Sequence, residues 1–267
     1  MVPWRRIPWA LSFAVVVLSS AALAEETKAE KKPLAPATPL GPVDENTPKL
    51  FHQIGLDFKN VFTTKENLWI LGVGAGASLL AHPYDDGIVN SRFNRELYEG
   101  GALDTSFESG KVLGGTLFQV GAAFTTYAIG KASSDPELTS LGRDLVRAQI
   151  VTQGLTQAVK LAVQRPRPDG SDSFSFPSGH SSSAFATATV LQRHYGWKVG
   201  APAYGFAGYV AASRLSENKH HLSDVIFGAT IGILVGRTVT FGVGDSRFVL
   251  SPMVVPRGAG VQLSLLH

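Results

Sequence analysis

The sequence predicts an all-α fold, a bundle of about six core helices across residues 50–245, followed by a short β-hairpin within residues 246–267. Three observations carry this prediction. Asn67 to Tyr84 and Val112 to Gly130 are runs of 18 and 19 residues without a formal charge, too long for strands. Leu138, Leu141, Leu145, Ala148, Leu155, Val159 and Ala162 recur at helical spacing. Apolar residues alternate, as a strand requires, around Phe248 to Leu250 and Val261 to Leu265, with Pro256-Arg257-Gly258 between them.

Arg5 and Arg6, the uncharged run Ala10 to Ala24 and the Ala22-Leu23-Ala24 ending have the layout of a secretory signal peptide over residues 1–24, with an uncleaved anchor as the alternative. Residues 25–49 carry Lys, Glu, Ala and the prolines Pro33, Pro36, Pro39, Pro42 and Pro48. That composition buries too little apolar surface to offset ordering and predicts a disordered tether. After Leu50 the pattern turns helical. The first uncharged run holds Gly72, Gly74 and Gly76, which suit close helix contact, and a polar loop with Asp85, Asp86, Arg92, Arg95 and Glu96 should follow. A helix should begin at Asp135-Pro136-Glu137, with aspartate capping and proline in the first turn. On it Gln149, Gln153, Gln157, Lys160 and Gln164 form a polar stripe apart from the apolar one. Three more helices are expected at about Gly179 to His194, Val199 to Arg214 and His221 to Phe241.

Composition excludes several functions. The chain has no cysteine, so disulfides, thiolate metal sites and thiol catalysis are ruled out. Without Arg5 and Arg6 the 24 basic residues fall to 22 against 21 acidic ones, a balance that gives nucleic acid no footprint. Both uncharged runs reach membrane-spanning length, whereas the third helix carries Arg143, Asp144 and Arg147 and the last carries Arg237. Hydropathy alone therefore leaves the relation to a membrane open.

Three segments carry chemistry. KLAVQRPRP sets Lys160 near a helix end and Arg167 seven residues on, before Pro168. FPSGHSSSAF places Pro177, Ser178 and Gly179 in a turn, with His180 in the first turn of a helix whose leading N–H groups can cradle an anion. SRLSENKHHLSD brings Arg214, His220, His221 and Asp224 together. Asp224 stands four residues after His220 and three after His221, so helix geometry permits a partnership with either. Singly, each feature has an ordinary explanation: a solvated lysine, a loop arginine, a helix cap, a core histidine.

In this order the segments K-x6-R-P, P-S-G-H and S-R-x5-H-x3-D resemble the three-part signature of the type-2 phosphatidic acid phosphatase superfamily, which also holds bacterial acid phosphatases and vanadium haloperoxidases. The resemblance covers roughly residues 60 to 245. It implies a helical bundle and an exported, periplasmic phosphatase, soluble or membrane-associated, that needs no metal and no cofactor. Its substrate would be a lipid phosphate such as phosphatidic acid or a polyprenyl pyrophosphate, or a small organic phosphate. It places Lys160, Arg167, Ser178, Gly179 and Arg214 around the phosphate. His220 becomes the nucleophile, forming a phosphohistidine, Asp224 its partner on Nδ1–H, and His180 the acid and later the base. Only the family spacing selects His220 over His221, which is left behind the site or on the surface. Asp169, Asp172, Glu217, Asn218 and His194 show no metal-ligand spacing and read as solvated loop residues. The gap from Asp169 to Phe176 is short for the family and argues against a large loop over the site. The alternatives are a vanadate-dependent haloperoxidase and a non-catalytic lipid- or phosphate-binding membrane protein, which phosphate release from a chromogenic ester would separate.

Overall fold

The computed structural model describes residues 50–89, 110–241, 247–255 and 258–266. The expected leader and tether lie outside the described residues, as do Arg92, Arg95 and Glu96. The helices are α1 (Leu50–Thr63), α2 (Lys65–Ala81), the short α3 (Asp85–Val89), α4 (Thr116–Ala132), α5 (Pro136–Val163), α6 (Gly179–Tyr195), α7 (Trp197–Ser216) and α8 (Leu222–Val239). Two strands follow, β1 (Arg247–Val255) and β2 (Gly258–Leu266), paired antiparallel from Arg247↔Leu266 to Val255↔Gly258.

Local chemistry sets several boundaries. Asp135 caps α5 by accepting from the Leu138 N–H at 3.0 Å, and Pro136 takes the first helical position, as its missing N–H allows. The helix ends where Gln164 turns left-handed, at φ 49°. Pro83 cannot donate to continue α2, and the chain tightens into a 3₁₀ turn over His82–Tyr84 before α3. The second uncharged run is not one helix. It breaks at Gly114 and Gly115, between a helical turn at 110–113 and α4, where a side chain on Gly114 would come within 2.2 Å of Val210.

Helices α6 and α8 form the centre, with α5 and α1 on one side and α7 on the other. Leu145, Val146 and Val151 of α5 pack with Ala186 and Val190 of α6 and with Leu234 and Val235 of α8. Ala184 and Phe185 meet Ala207 and Val210 of α7. The approach of α8 to α6 is so close that a methyl group at Gly228 would lie 2.5 Å from the Ser178 carbonyl oxygen, and one at Gly232 would lie 2.4 Å from that of Ser182. This contact brings the first turn of α8 against the turn that opens α6.

The outer helices are apolar in the opposite sense from a water-soluble bundle. On α2, Asn67 and Ser78 point inward, with the Asn67 amide donating to Thr238 Oγ1 at 2.9 Å, while Trp69, Val73 and Leu79 face outward and Leu80 is 76% exposed. On α4, Gln119 is buried and Leu117 is 90% exposed. The second half of α5 behaves likewise. Of the polar stripe Gln149 and Lys160 are buried together with Thr152 and Thr156, while Gln157 and Gln164 are exposed along with Leu161, Ala162 and Val163. Among the described residues one helix, α8, is long and apolar enough to cross a membrane, and 67% of it is buried inside the bundle.

Candidate active site

The site is built where the C-terminal ends of α5 and α7 meet the N-terminal ends of α6 and α8. The linker after α5 is held to the one before α8: the Asp169 N–H donates to the Asn218 carbonyl at 3.2 Å, and Arg167 Nη1 to the Lys219 carbonyl at 3.2 Å. The Ser178 N–H donates to the Asp224 carbonyl at 3.0 Å, which fixes the start of α6 against α8. Ser178 caps α6, its hydroxyl accepting from the Ser181 N–H at 3.4 Å, and the first N–H groups of a helix have no partner within it.

All eight expected residues come together here. Lys160 is buried, and its ammonium donates to the Phe174 carbonyl, a neutral partner. Burial, and then the charge of Arg167, lower its pKa to about 8. Arg167 Nε holds Asp172 at 2.7 Å, and Arg214 Nη2 holds Glu217 at 2.6 Å. Burial, followed by the charges of Arg214 and His220, pushes His180 down to about 4, against a hydrogen bond to the Lys111 backbone. Burial is also the main cause that lowers His220.

One expected contact is replaced by another. Nδ1–H of His220 donates to the Ser175 carbonyl at 2.7 Å, whereas the Asp224 carboxylate stands 3.8 Å from that nitrogen, beyond hydrogen-bond length. A backbone carbonyl holds the tautomer and leaves Nε2 with its lone pair. Asp224 instead accepts from the Ser175 hydroxyl, from the His221 N–H at 2.8 Å and from Arg165 at 2.7 Å. Burial opposes its charge, but His220, Ser175, His221 and Arg165 outweigh burial and hold the carboxyl at about 2. His221 thus serves Asp224 through its backbone.

The acids expected to be solvated are ion-pair partners. Asp169 holds Lys219, Asp172 holds Arg167, Glu217 holds Arg214, and His194 sits 3.0 Å from Asp144, well away from the site. Among the described residues no group of three or more His, Asp or Glu is placed to hold a metal ion. Sequence reasoning missed Arg165, Ser175 and Asp85. The doubled Arg-Pro in Arg165-Pro166-Arg167-Pro168 was a visible signal for the first. Asp85, placed by expectation in a polar loop, is buried at the start of α3.

Residues 142–247 match the PAP2 superfamily, and this span contains all three motifs. Over these residues, fewer than half of the chain, the protein is similar to the PAP2 superfamily. It is 46% identical over 88 residues to the Lipid A 1-phosphatase of Porphyromonas gingivalis, covering 31% of this chain and 19% of that protein. It is 30% identical over 135 residues to Lipid phosphate phosphatase 1 of Arabidopsis thaliana, covering 34% and 41%. It is 27% identical over 122 residues to the Lipid A 4'-phosphatase of Helicobacter pylori, covering 42% and 62%. The chain therefore spans less than two thirds of the length of each of these relatives. The PAP2 span begins within α5 and includes the whole of the site except Asp85.

Proposed function

We propose that the protein is a metal-independent phosphatase that removes the phosphate of a membrane lipid through a phosphohistidine on His220. The observation that carries this reading is the convergence of three cations, a helix N-terminus and two neutral histidines at one end of the bundle. Transfer of a phosphoryl group spreads negative charge over three equatorial oxygens, so a protein catalyses it mainly by positioning and by opposing that charge. Lys160, Arg167 and Arg214 supply the positive field, and the Ser178 hydroxyl and Gly179 N–H add donors.

Nε2 of His220 attacks phosphorus in line with the ester oxygen. A P–N bond forms, the P–O bond breaks, and the departing oxygen takes a proton from His180, which the bound phosphate anion holds as the imidazolium. The charge left on the His220 ring is shared with the Ser175 carbonyl and the nearby Asp224 carboxylate. Water then attacks the phosphohistidine, giving its proton to His180, and phosphate leaves.

The outward apolar faces of α2 and α4 support a lipid substrate over a small soluble ester, because exposed apolar surface of this kind suits contact with a bilayer. The lipid phosphatases among the relatives agree with this choice. We place the protein, exported by its leader, on the outer side of the membrane in contact with lipid. Labelled lipid phosphomonoester, quenched in turnover, should leave acid-labile, base-stable phosphate on His220 by mass spectrometry. Label on His221, or activity that a chelator abolishes and Mg²⁺ or Zn²⁺ restores, overturns the mechanism. Full release from membranes by carbonate overturns the lipid contact.

A further inference from the structure

The proposed mechanism gives no work to the best-connected charge near the site. Arg165 Nη1 donates to Asp224 Oδ1 and to Ser223 Oγ, both at 2.7 Å, and its Nη2 donates to Asp85 Oδ2 at 2.9 Å. Asp85 lies 80 positions before Arg165 in the chain, yet it is buried against α8. It accepts from the Ser223 N–H at 2.9 Å and from the Ser223 hydroxyl at 2.6 Å, and His82 lies 3.0 Å from the same carboxylate. The Ser78 hydroxyl of α2 donates to the Ser223 carbonyl at 2.9 Å, so α2, α3 and α8 are joined at this point.

The backbone of Arg165 enters the same network. Its carbonyl accepts from the Ser175 N–H at 2.9 Å, while the Ser175 hydroxyl donates to Asp224 and the Ser175 carbonyl holds Nδ1–H of His220. Both oxygens of Asp224 are therefore occupied, one by Arg165 and the other by Ser175 and the His221 N–H. That arrangement keeps the carboxylate 3.8 Å from the ring and leaves the ring to the carbonyl.

We infer that Arg165, seated on Asp85, is a positioning residue that holds the Asp224–Ser175 pair in the place where it orients His220. This rests on the reading of His220 as nucleophile. Arg165 donates to carboxylates and to a serine hydroxyl, and it acts on the reaction through them. The charged and titratable groups facing Asp224 are Arg165, Lys160 and His220, with Asp85 and His82 behind Arg165. The cation makes an ionised Asp224 cheaper, consistent with the depressed value noted above.

The test uses the full chain with Arg165→Gln, Arg165→Lys, Asp85→Asn and the double variant Asp85→Asn/Arg165→Gln, assayed on nitrophenyl phosphate and melted across pH. Arg165→Gln should lower kcat by roughly 10- to 100-fold, by analogy with residues that orient metal ligands from behind, while KM stays near its wild-type value. The acid limb of kcat/KM should move up by about one pH unit or more, because the carboxylate loses its cation. Arg165→Lys should recover part of kcat, and the double variant should be no worse than Arg165→Gln.

Melting reads the same network without turnover. Asp224 has a folded value of about 2 against 3.8 unpaired, so its contribution to stability is present above 3.8 and lost as pH falls through about 2. Losing Arg165 raises the folded value, so the variant's melting deficit should be full above about pH 4 and shrink toward about pH 2. Wild-type kcat and acid limb in Arg165→Gln overturn the inference, as does a double variant whose losses are additive or a deficit that is the same at every pH. If the wild-type protein released no phosphate, the phosphatase reading would fall, and the melting cycle would still decide whether Asp85, Arg165 and Asp224 act as one unit.

Discussion

Helix α5 carries a buried ionic cluster at each end, and the two are built differently. Near its start Arg147 grips Asp57 of α1 with a two-pronged bond, Nε at 2.8 Å and Nη2 at 2.6 Å, and reaches Asp144 at 2.9 Å. His194 of α6 closes the group on Asp144 at 3.0 Å. The acids here are locked away, with side chains only 4% and 2% exposed. At the other end, about 24 Å along the axis, Arg167 and Arg214 also hold acids, but Asp172 is 41% and Glu217 22% exposed. The contrast separates scaffold from site. Cations whose partners are buried tie helices together, whereas cations whose partners face solvent can exchange a carboxylate for a phosphate.

The widest expected gap between the clusters is catalytic. His220→Ala should lower turnover by roughly 10⁴-fold or more while the protein melts near the wild-type temperature, since residues that act as one catalytic unit lose nearly everything together. Substantial residual turnover would move the nucleophile elsewhere and dissolve the distinction. Arg147→Met should do the reverse. It leaves the buried Asp57 carboxylate without its cation, and Asp144 with only His194 and Arg143, and should cost about 3–5 kcal/mol of stability, with kcat of the folded fraction nearly unchanged. Burial already raises the pKa of Asp57, chiefly by desolvation, so acidification that protonates it should relieve part of the loss. Calorimetry against pH checks this. A loss of kcat at full stability would make the distal cluster part of the mechanism.

Much of this was legible in sequence where a residue announces a local rule. Asp135-Pro136 gave the start of α5, and Ser178-Gly179 gave the start of α6, because capping is decided within one turn. The three motifs named eight candidate residues, which the fold brings to one end of the bundle. Other features were not legible for physical reasons. Periodicity finds the stripes of a helix but not which residues of each face in, and on α5 Gln149 and Lys160 of the polar stripe are buried whereas Gln157 is exposed. The acceptor for His220 is a backbone carbonyl, which any residue type at position 175 could supply. Asp85 joins Arg165 and Ser223 from far along the chain, a pairing that only the packing of α3 on α8 creates.

A smaller effect should appear in the pH dependence. His180 is held at about 4, by burial first and then by Arg214 and its neighbours, so in the unliganded protein it is mostly deprotonated at neutral pH. A phosphate dianion in the cradle opposes that field and must raise the value, since a nearby anion favours the charged imidazolium. The limb above which kcat falls, which reports the complex, should therefore lie at higher pH than the limb above which kcat/KM falls, which reports the free protein. An alkyl phosphate, whose leaving oxygen needs a proton, should show the separation. Nitrophenyl phosphate should show it weakly. Coincident limbs with both substrates would remove His180 from the role of acid.

The smallest effect belongs to the exposed acids themselves. Asp172 accepts from Arg167 and also from the Phe174 N–H at 2.8 Å, and Glu217 accepts from Arg214. If these carboxylates stand where phosphate must compete, removing their charge should tighten binding rather than weaken it. A pair whose acid reaches solvent, as Asp172 does, contributes at most about 1 kcal/mol, so inorganic phosphate should inhibit Asp172→Asn no more than about fivefold more strongly than wild type, and Glu217→Gln, whose arginine is buried, should shift in the same direction. The amide in Asp172→Asn can still accept from the Phe174 N–H, which preserves the loop and isolates the charge. Added salt should narrow the difference, because screening weakens the competing carboxylate most where solvent reaches it. Titration of phosphate inhibition at two ionic strengths makes the measurement. Weaker inhibition in both variants would mean that the acids hold the arginines in place for phosphate, and the site end of α5 would then share the locked character of the distal cluster.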